Sequence, residues 1–96
     1  MPFSFNTPES LLADIANKAK AQRLAAKLTR RTLALKSGVA EANIKRFETT
    51  GQVSFHNLLK IAFALDCMDQ FEQLFNEKPP QSIDDLQTKV RQRGSL

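Results

Sequence analysis

Apolar residues in this chain recur at the three-to-four-residue spacing of an amphipathic helix, and no stretch alternates as a half-buried strand would. The first helix is announced at Thr7-Pro8-Glu9-Ser10, which supplies a hydroxyl N-cap, a proline at the first helical position and an acid in the first turn. Its apolar stripe is Leu12, Ile15, Ala16 and Ala19, and the next position on that stripe is Arg23. A cation on an inward face needs a partner. Leu28-Thr29 breaks the periodicity, with Thr29 placed to cap a short second helix over 30–36 that turns Leu33 and Ala34 inward. Ser37-Gly38 ends that helix, because glycine takes the positive φ of a tight inter-helix turn at low cost.

A third helix is expected over about 40–49, with Ile44 and Phe47 apolar and Glu48 on the same side, four residues after Ile44. After a loop at Thr50-Gly51-Gln52, Ser54 can cap a fourth helix with Leu58, Leu59, Ala62 and Leu65 facing inward. A break near Asp66-Cys67 precedes an expected short fifth helix over 69–75. Pro79-Pro80 forces an extended stretch, and Ser82-Ile83-Asp84-Asp85 resembles a capping box that opens a last helical segment. Residues 1–6 read as an arm and 89–96 as a basic tail. The expected architecture is all-α: a compact five-helix domain over 1–75, followed by a C-terminal extension and tail over 76–96.

Length and charge sharpen this picture. Ninety-six residues favour a single small domain with little surplus stability, so pairing with a second copy is a reasonable expectation. The net charge of +4 is unevenly spread. Residues 18–46 carry nine basic side chains against the single acid Glu41, whereas 48–77 carry five acids against Lys60. The basic half suits a polyanion. One cysteine and one histidine offer neither a disulfide nor a metal set, so no metal and no cofactor are expected. Cys67 reads as a small buried hydrophobe. With no apolar run of membrane-spanning length and no signal-peptide pattern, a cytoplasmic protein is the expectation.

Residues 30–47 have the pattern of a helix-turn-helix. Ala34 is small where two helices would cross, Gly38 makes the turn, and Leu33, Val39, Ile44 and Phe47 fill the space between. The residues that surround this motif extend it. Leu28-Thr29, Leu33-Ala34, Ser37-Gly38-Val39, Ile44-Lys45-Arg46-Phe47-Glu48, Gly51, and Leu58-Leu59-Lys60-Ile61-Ala62 with Leu65 occur in one order. Over residues 23–65 the chain thus resembles the lambda-repressor-like, or Xre-type, DNA-binding domains.

That resemblance implies a partner for Arg23. In such domains an arginine of the first helix pairs with a glutamate ending the recognition helix, and Arg23 and Glu48 occupy those places. It also implies that the third helix enters the major groove and reads bases from its N-terminal half. The base-reading candidates are Glu41, Ala42, Lys45 and Arg46. Arg46 and Lys45 can donate to guanine, Glu41 can accept from cytosine, and Ala42 can touch a thymine methyl. Lys27, Arg30, Arg31, Lys36 and Asn43 are candidates for phosphate contacts. One departure from the family pattern is Ala40, which stands where Ser or Thr often caps the recognition helix.

More narrowly, Ile44-Lys45-Arg46-Phe47-Glu48, Thr50-Gly51, Leu58-Leu59-Lys60 and Phe71-Glu72-Gln73-Leu74-Phe75 resemble HipB-type regulators. This second resemblance implies an antitoxin that represses its own operon and binds a HipA-family kinase toxin. Phe71, Leu74 and Phe75 can either pack on the core or form a dimer or partner surface. A symmetric dimer would call for a near-palindromic double-stranded operator. Catalysis is not expected, since the chain has no phosphate-binding glycine loop, metal cluster or nucleophile elbow. The alternatives to a repressor-antitoxin are a stand-alone phage-type repressor and an interaction module whose main task is to hold a toxin or other partner.

Overall fold

The computed structural model describes residues 7–77. Four α-helices run in order: α1, Pro8–Ala25; α2, Arg30–Ser37; α3, Glu41–Thr50; and α4, Phe55–Ala64. A single 3₁₀ turn follows at Met68–Gln70. No strand occurs among the described residues. The expected helical segment from Ser82 and the basic tail lie outside them, as does the N-terminal arm.

The local chemistry at the helix starts is direct. The Thr7 hydroxyl accepts from the Ser10 N–H at 3.1 Å while the Thr7 N–H donates to Ser10 Oγ at 3.0 Å, a reciprocal box with Pro8 just inside it. Thr29 and Ser54 cap α2 and α4 by accepting from the N–H groups of Thr32 and Asn57. Each such cap satisfies a donor that the helix itself leaves unpaired. α3 starts differently: Ala40 provides no side-chain bond, and only its carbonyl accepts, from Asn43 and Ile44.

α1 packs on α3, and α2 packs on both α3 and α4. The core between them consists of Ala16, Leu33, Val39, Ile44, Phe47 and Ile61. Ile61 is buried although the expected stripe of α4 passed over it. Residues 58–65 are apolar at almost every position, so periodicity alone does not select the inward side; packing against α2 does. Leu58, Leu59 and Leu65 are half-buried beside it.

The expected fifth helix does not form. The chain after α4 is held by i→i−3 bonds, Gln70 N–H to Cys67 O, Phe71 to Met68, Leu74 to Phe71 and Asn76 to Gln73. Asp66 and Phe75 both take positive φ, which an L-residue helix does not propagate through, and the 3₁₀ turn lacks a side-chain cap. A segment this short gains too few α-type bonds to offset nucleation. The described residues therefore form four α-helices and a turn rather than five helices.

Two glycines terminate the helices of the motif, and they do so under different constraints. Gly38 has φ 77° with open space around it. Gly51 has φ 81°, and a Cβ there would lie 3.1 Å from Leu12 Cβ and 3.2 Å from the Leu12 carbonyl carbon and oxygen. Gly51 is thus where α1 and the end of α3 make their close approach. Gly38→Ala is expected to cost only the left-handed strain, about 1–2 kcal/mol. Gly51→Ala adds crowding against backbone worth about 1–3 kcal/mol more. Thermal melts of the two variants check this, and equal losses would rule out the Gly51–Leu12 constraint.

Candidate nucleic-acid interface

Ile44 and Phe47 fix the roll of α3 by turning into the core, and Glu48 joins them on the inner side. Helical geometry then dictates the outer side. Glu41, Ala42, Asn43, Lys45 and Arg46 are all exposed. The far end of the helix is pinned: Thr49 Oγ1 donates to the Lys45 carbonyl at 2.8 Å, Thr50 Oγ1 to the Arg46 carbonyl at 2.6 Å, and Gly51 N–H to the Phe47 carbonyl at 2.7 Å. Lys45 and Arg46 thus project from a turn held on its core side and at its C-terminus.

Around this helix the phosphate candidates divide. Lys27, Arg31 and Lys36 are exposed and, like Lys45 and Arg46, have no acidic partner among the described residues. Lys27 sits at φ 60° in the turn after α1. Arg30 is different, because its guanidinium is already engaged. Its Nε donates to Glu48 Oε1 at 2.9 Å. The same carboxylate receives Arg23 Nε on Oε2 at 2.7 Å and Arg23 Nη2 on Oε1 at 3.1 Å. Arg23 Nη1 donates in turn to the Leu28 carbonyl at 2.8 Å. Arg23 and Glu48 are thereby joined as a buried pair, and a third member, Arg30, went unseen in the sequence. No stripe points to it: it is the first residue of α2, and its partner lies on another helix.

The electrostatics follow from this geometry. Burial by itself would push the Glu48 carboxyl up, but the bonds from Arg23 and Arg30, with their charges, outweigh it and hold the group below its ordinary value. A carboxylate depressed in the folded state contributes stability above its unfolded pKa and loses that contribution as pH falls through its folded one. The melting temperature is therefore expected to fall as pH drops below about 4.3, the ordinary glutamate value. Melts between pH 6 and 3 on the wild type and on Glu48→Gln measure it; an acid limb of equal size in both would remove Glu48 as its source. Cys67 shifts the other way. Burial raises its thiol, with Asp69 and Asp66 adding to the effect, so it is not the activated thiolate of a catalytic site.

An open groove of about 400 Å³ adjoins Arg46, lined also by Asn43, Gln52, Val53, Ser54 and Asn57. It lies where α3 meets the loop and first turn of α4. Gln52, in the loop, and Asn57, in the first turn of α4, are additional polar side chains beside α3 that the sequence pattern did not single out.

Residues 20–79 match the family model for the Cro/C1-type HTH DNA-binding domain. The chain belongs to this family. No curated protein matches the sequence. As a Cro/C1-type domain, the chain is a DNA-binding protein whose helix-turn-helix is α2, the Gly38 turn and α3. The match takes in all of α2, α3 and α4 and the turn that follows, and within α1 it includes Arg23. No described helix of this Cro/C1-type domain is long and apolar enough to cross a membrane.

The aromatic set beyond α4 is only partly packed. Phe71 is half-buried with its ring edge-on to Phe55, centroids 6.5 Å apart. Leu74 and Phe75 are exposed, as is Phe63. Of the three residues considered for core packing or a partner surface, Phe71 alone turns back onto the domain.

Proposed function

We propose that this Cro/C1-type domain is a sequence-specific transcriptional regulator that docks as a homodimer on a near-palindromic operator, with α3 in the major groove. The supporting observation is the division of α3. Ile44 and Phe47 are buried, while Glu41, Ala42, Lys45 and Arg46 form one exposed edge of donors, an acceptor and a methyl group. Those are the groups needed to distinguish base pairs in the major groove. Lys27, Arg31, Lys36 and Asn43 flank that edge as phosphate ligands, and Arg30 joins them from the start of α2.

Selection from a randomised duplex library tests this reading. The expected result is enrichment of a near-palindrome whose half-sites lie about one helical turn apart. Affinity should fall steeply between about 50 and 200 mM salt, as counterion release requires. A library that emerges without enrichment over random duplex would sink the specific-regulator reading.

Within this proposal the regulator is an antitoxin and autorepressor of a HipA-family toxin operon. The resemblance of Phe71-Glu72-Gln73-Leu74-Phe75 to HipB-type regulators supports this, as does the exposure of Leu74 and Phe75, which leaves apolar area for a protein partner. Binding to a HipA-family kinase encoded beside it, lost on Leu74→Ser with Phe75→Ser while DNA binding persists, is the expected result. No complex with such a kinase would leave the stand-alone repressor.

A further inference from the structure

The carboxylate of Glu48 is shared by two arginines that differ in one respect. The Arg23 side chain is 8% exposed and all its donor groups are committed, to Glu48 and to the Leu28 carbonyl. The Arg30 side chain is 29% exposed and commits only Nε. Its Nη1 and Nη2 groups, with four of the five N–H donors of a guanidinium, have no partner among the described residues. One carboxylate against two guanidinium groups also leaves a positive charge in excess. Arg30 is further located by its backbone: Arg23 holds the Leu28 carbonyl, Thr29 caps α2, and Arg30 follows as the first helical residue.

We propose that Glu48, buried and itself unable to touch DNA, is a positioning residue for backbone recognition: it grips Arg30 at Nε so that the Nη edge is presented, already oriented, to a phosphate. This rests on the DNA-binding reading above. The gain is one of preorganisation. A free arginine loses rotamer freedom when it clamps a phosphate, whereas one already held loses little. A long flexible side chain thereby becomes a fixed part of the domain surface.

The test uses the full chain and a random-sequence duplex of about 20 base pairs, because a phosphate contact is independent of sequence. Variants are first shown to be folded by circular dichroism at the temperature of the titration. Glu48→Gln deletes a negative charge lying against Arg23 and Arg30, so long-range electrostatics alone would tighten binding. Positioning demands the reverse: an affinity loss of about tenfold, the lower range for a charged hydrogen bond. That loss must disappear when Glu48→Gln is combined with Arg30→Ala, since nothing remains to be positioned. A second arm leaves Glu48 intact and stands even where Glu48→Gln does not fold. Lysine cannot be gripped at Nε while offering a fork, so Arg30→Lys should lose about tenfold at unchanged charge. Arg31→Lys, at the exposed and unheld neighbour, should lose little.

Tighter or unchanged binding by folded Glu48→Gln overturns the proposal, as does an equal loss with and without Arg30, or equal losses from the two lysine variants. A wild type that binds no duplex at all overturns the DNA-binding reading and the proposal together. A wild type that binds with normal salt dependence but ignores Arg30→Lys overturns only the proposal.

Discussion

Glu48→Ala is expected to lower the melting temperature by roughly 15 °C or more. Removing one member of a buried, hydrogen-bonded ion pair typically costs about 3–5 kcal/mol, because the other charge stays buried without compensation. Here the stranded group is Arg23, which would keep the Leu28 carbonyl but lose both bonds to Glu48. Arg30 is less affected, since it can turn to water. For a domain of this size 1 kcal/mol corresponds to about 4–8 °C, and total stabilities of small domains are only about 5–15 kcal/mol. The cost arises from the unpaired charge rather than from the attraction itself, so a double replacement, Arg23→Met with Glu48→Met, should recover much of it. Thermal and urea unfolding of the single and double variants decide the matter. A double variant no more stable than Glu48→Ala would mean that the pair's own attraction carries the stability.

Arg46→Ala should abolish base preference at one position in each half-site while leaving the rest of the operator recognised. A bidentate arginine–guanine contact discriminates by about 1–3 kcal/mol, or up to roughly a hundredfold against the wrong base. Arg46 is fit for this because its turn is immobilised: Phe47 beside it is buried and Thr50 holds its carbonyl. The groove it lines with Asn43, Gln52 and Asn57 offers a second place for the same side chain, against a phosphate. The two roles give different data. A base reader changes the sequence logo at one position; a phosphate ligand weakens every sequence alike and reduces the salt slope by about one. A uniform loss after Arg46→Ala would move Arg46 to the phosphate set and leave Lys45 and Glu41 as the charged readers.

The legible parts of this chain were those governed by local rules. Thr7-Pro8, Thr29 and Ser54 mark helix starts because capping is a short-range event, and all three caps are present. Arg23 stood out as a charge on an apolar stripe, and Glu48 as an acid four residues from Ile44. What remained illegible was tertiary. Arg30 reaches Glu48 eighteen residues further along the chain, and nothing in its neighbours distinguishes it from Arg31. Ile61 could not be told from Leu59 on a helix apolar nearly all round. The expected fifth helix had the right composition but too little length, and two left-handed residues at its borders turned it into successive i→i−3 turns. Leu12, read as inward, is exposed, although its backbone and Cβ lie against Gly51.

The missing cap at Ala40 bears on how such a surface can change partners. Glu41 and Ala42 stand on a first turn that has no side-chain cap, whereas Lys45 and Arg46 stand on a turn fastened by two core residues and two threonines. On the proposed reading, one half of the reading edge is stiff and the other yields. Bases opposite the stiff half would be invariant among tolerated operators, and those opposite the yielding half would vary. A lineage could then drift toward new operators through the first turn of α3 without disturbing the grip of the second.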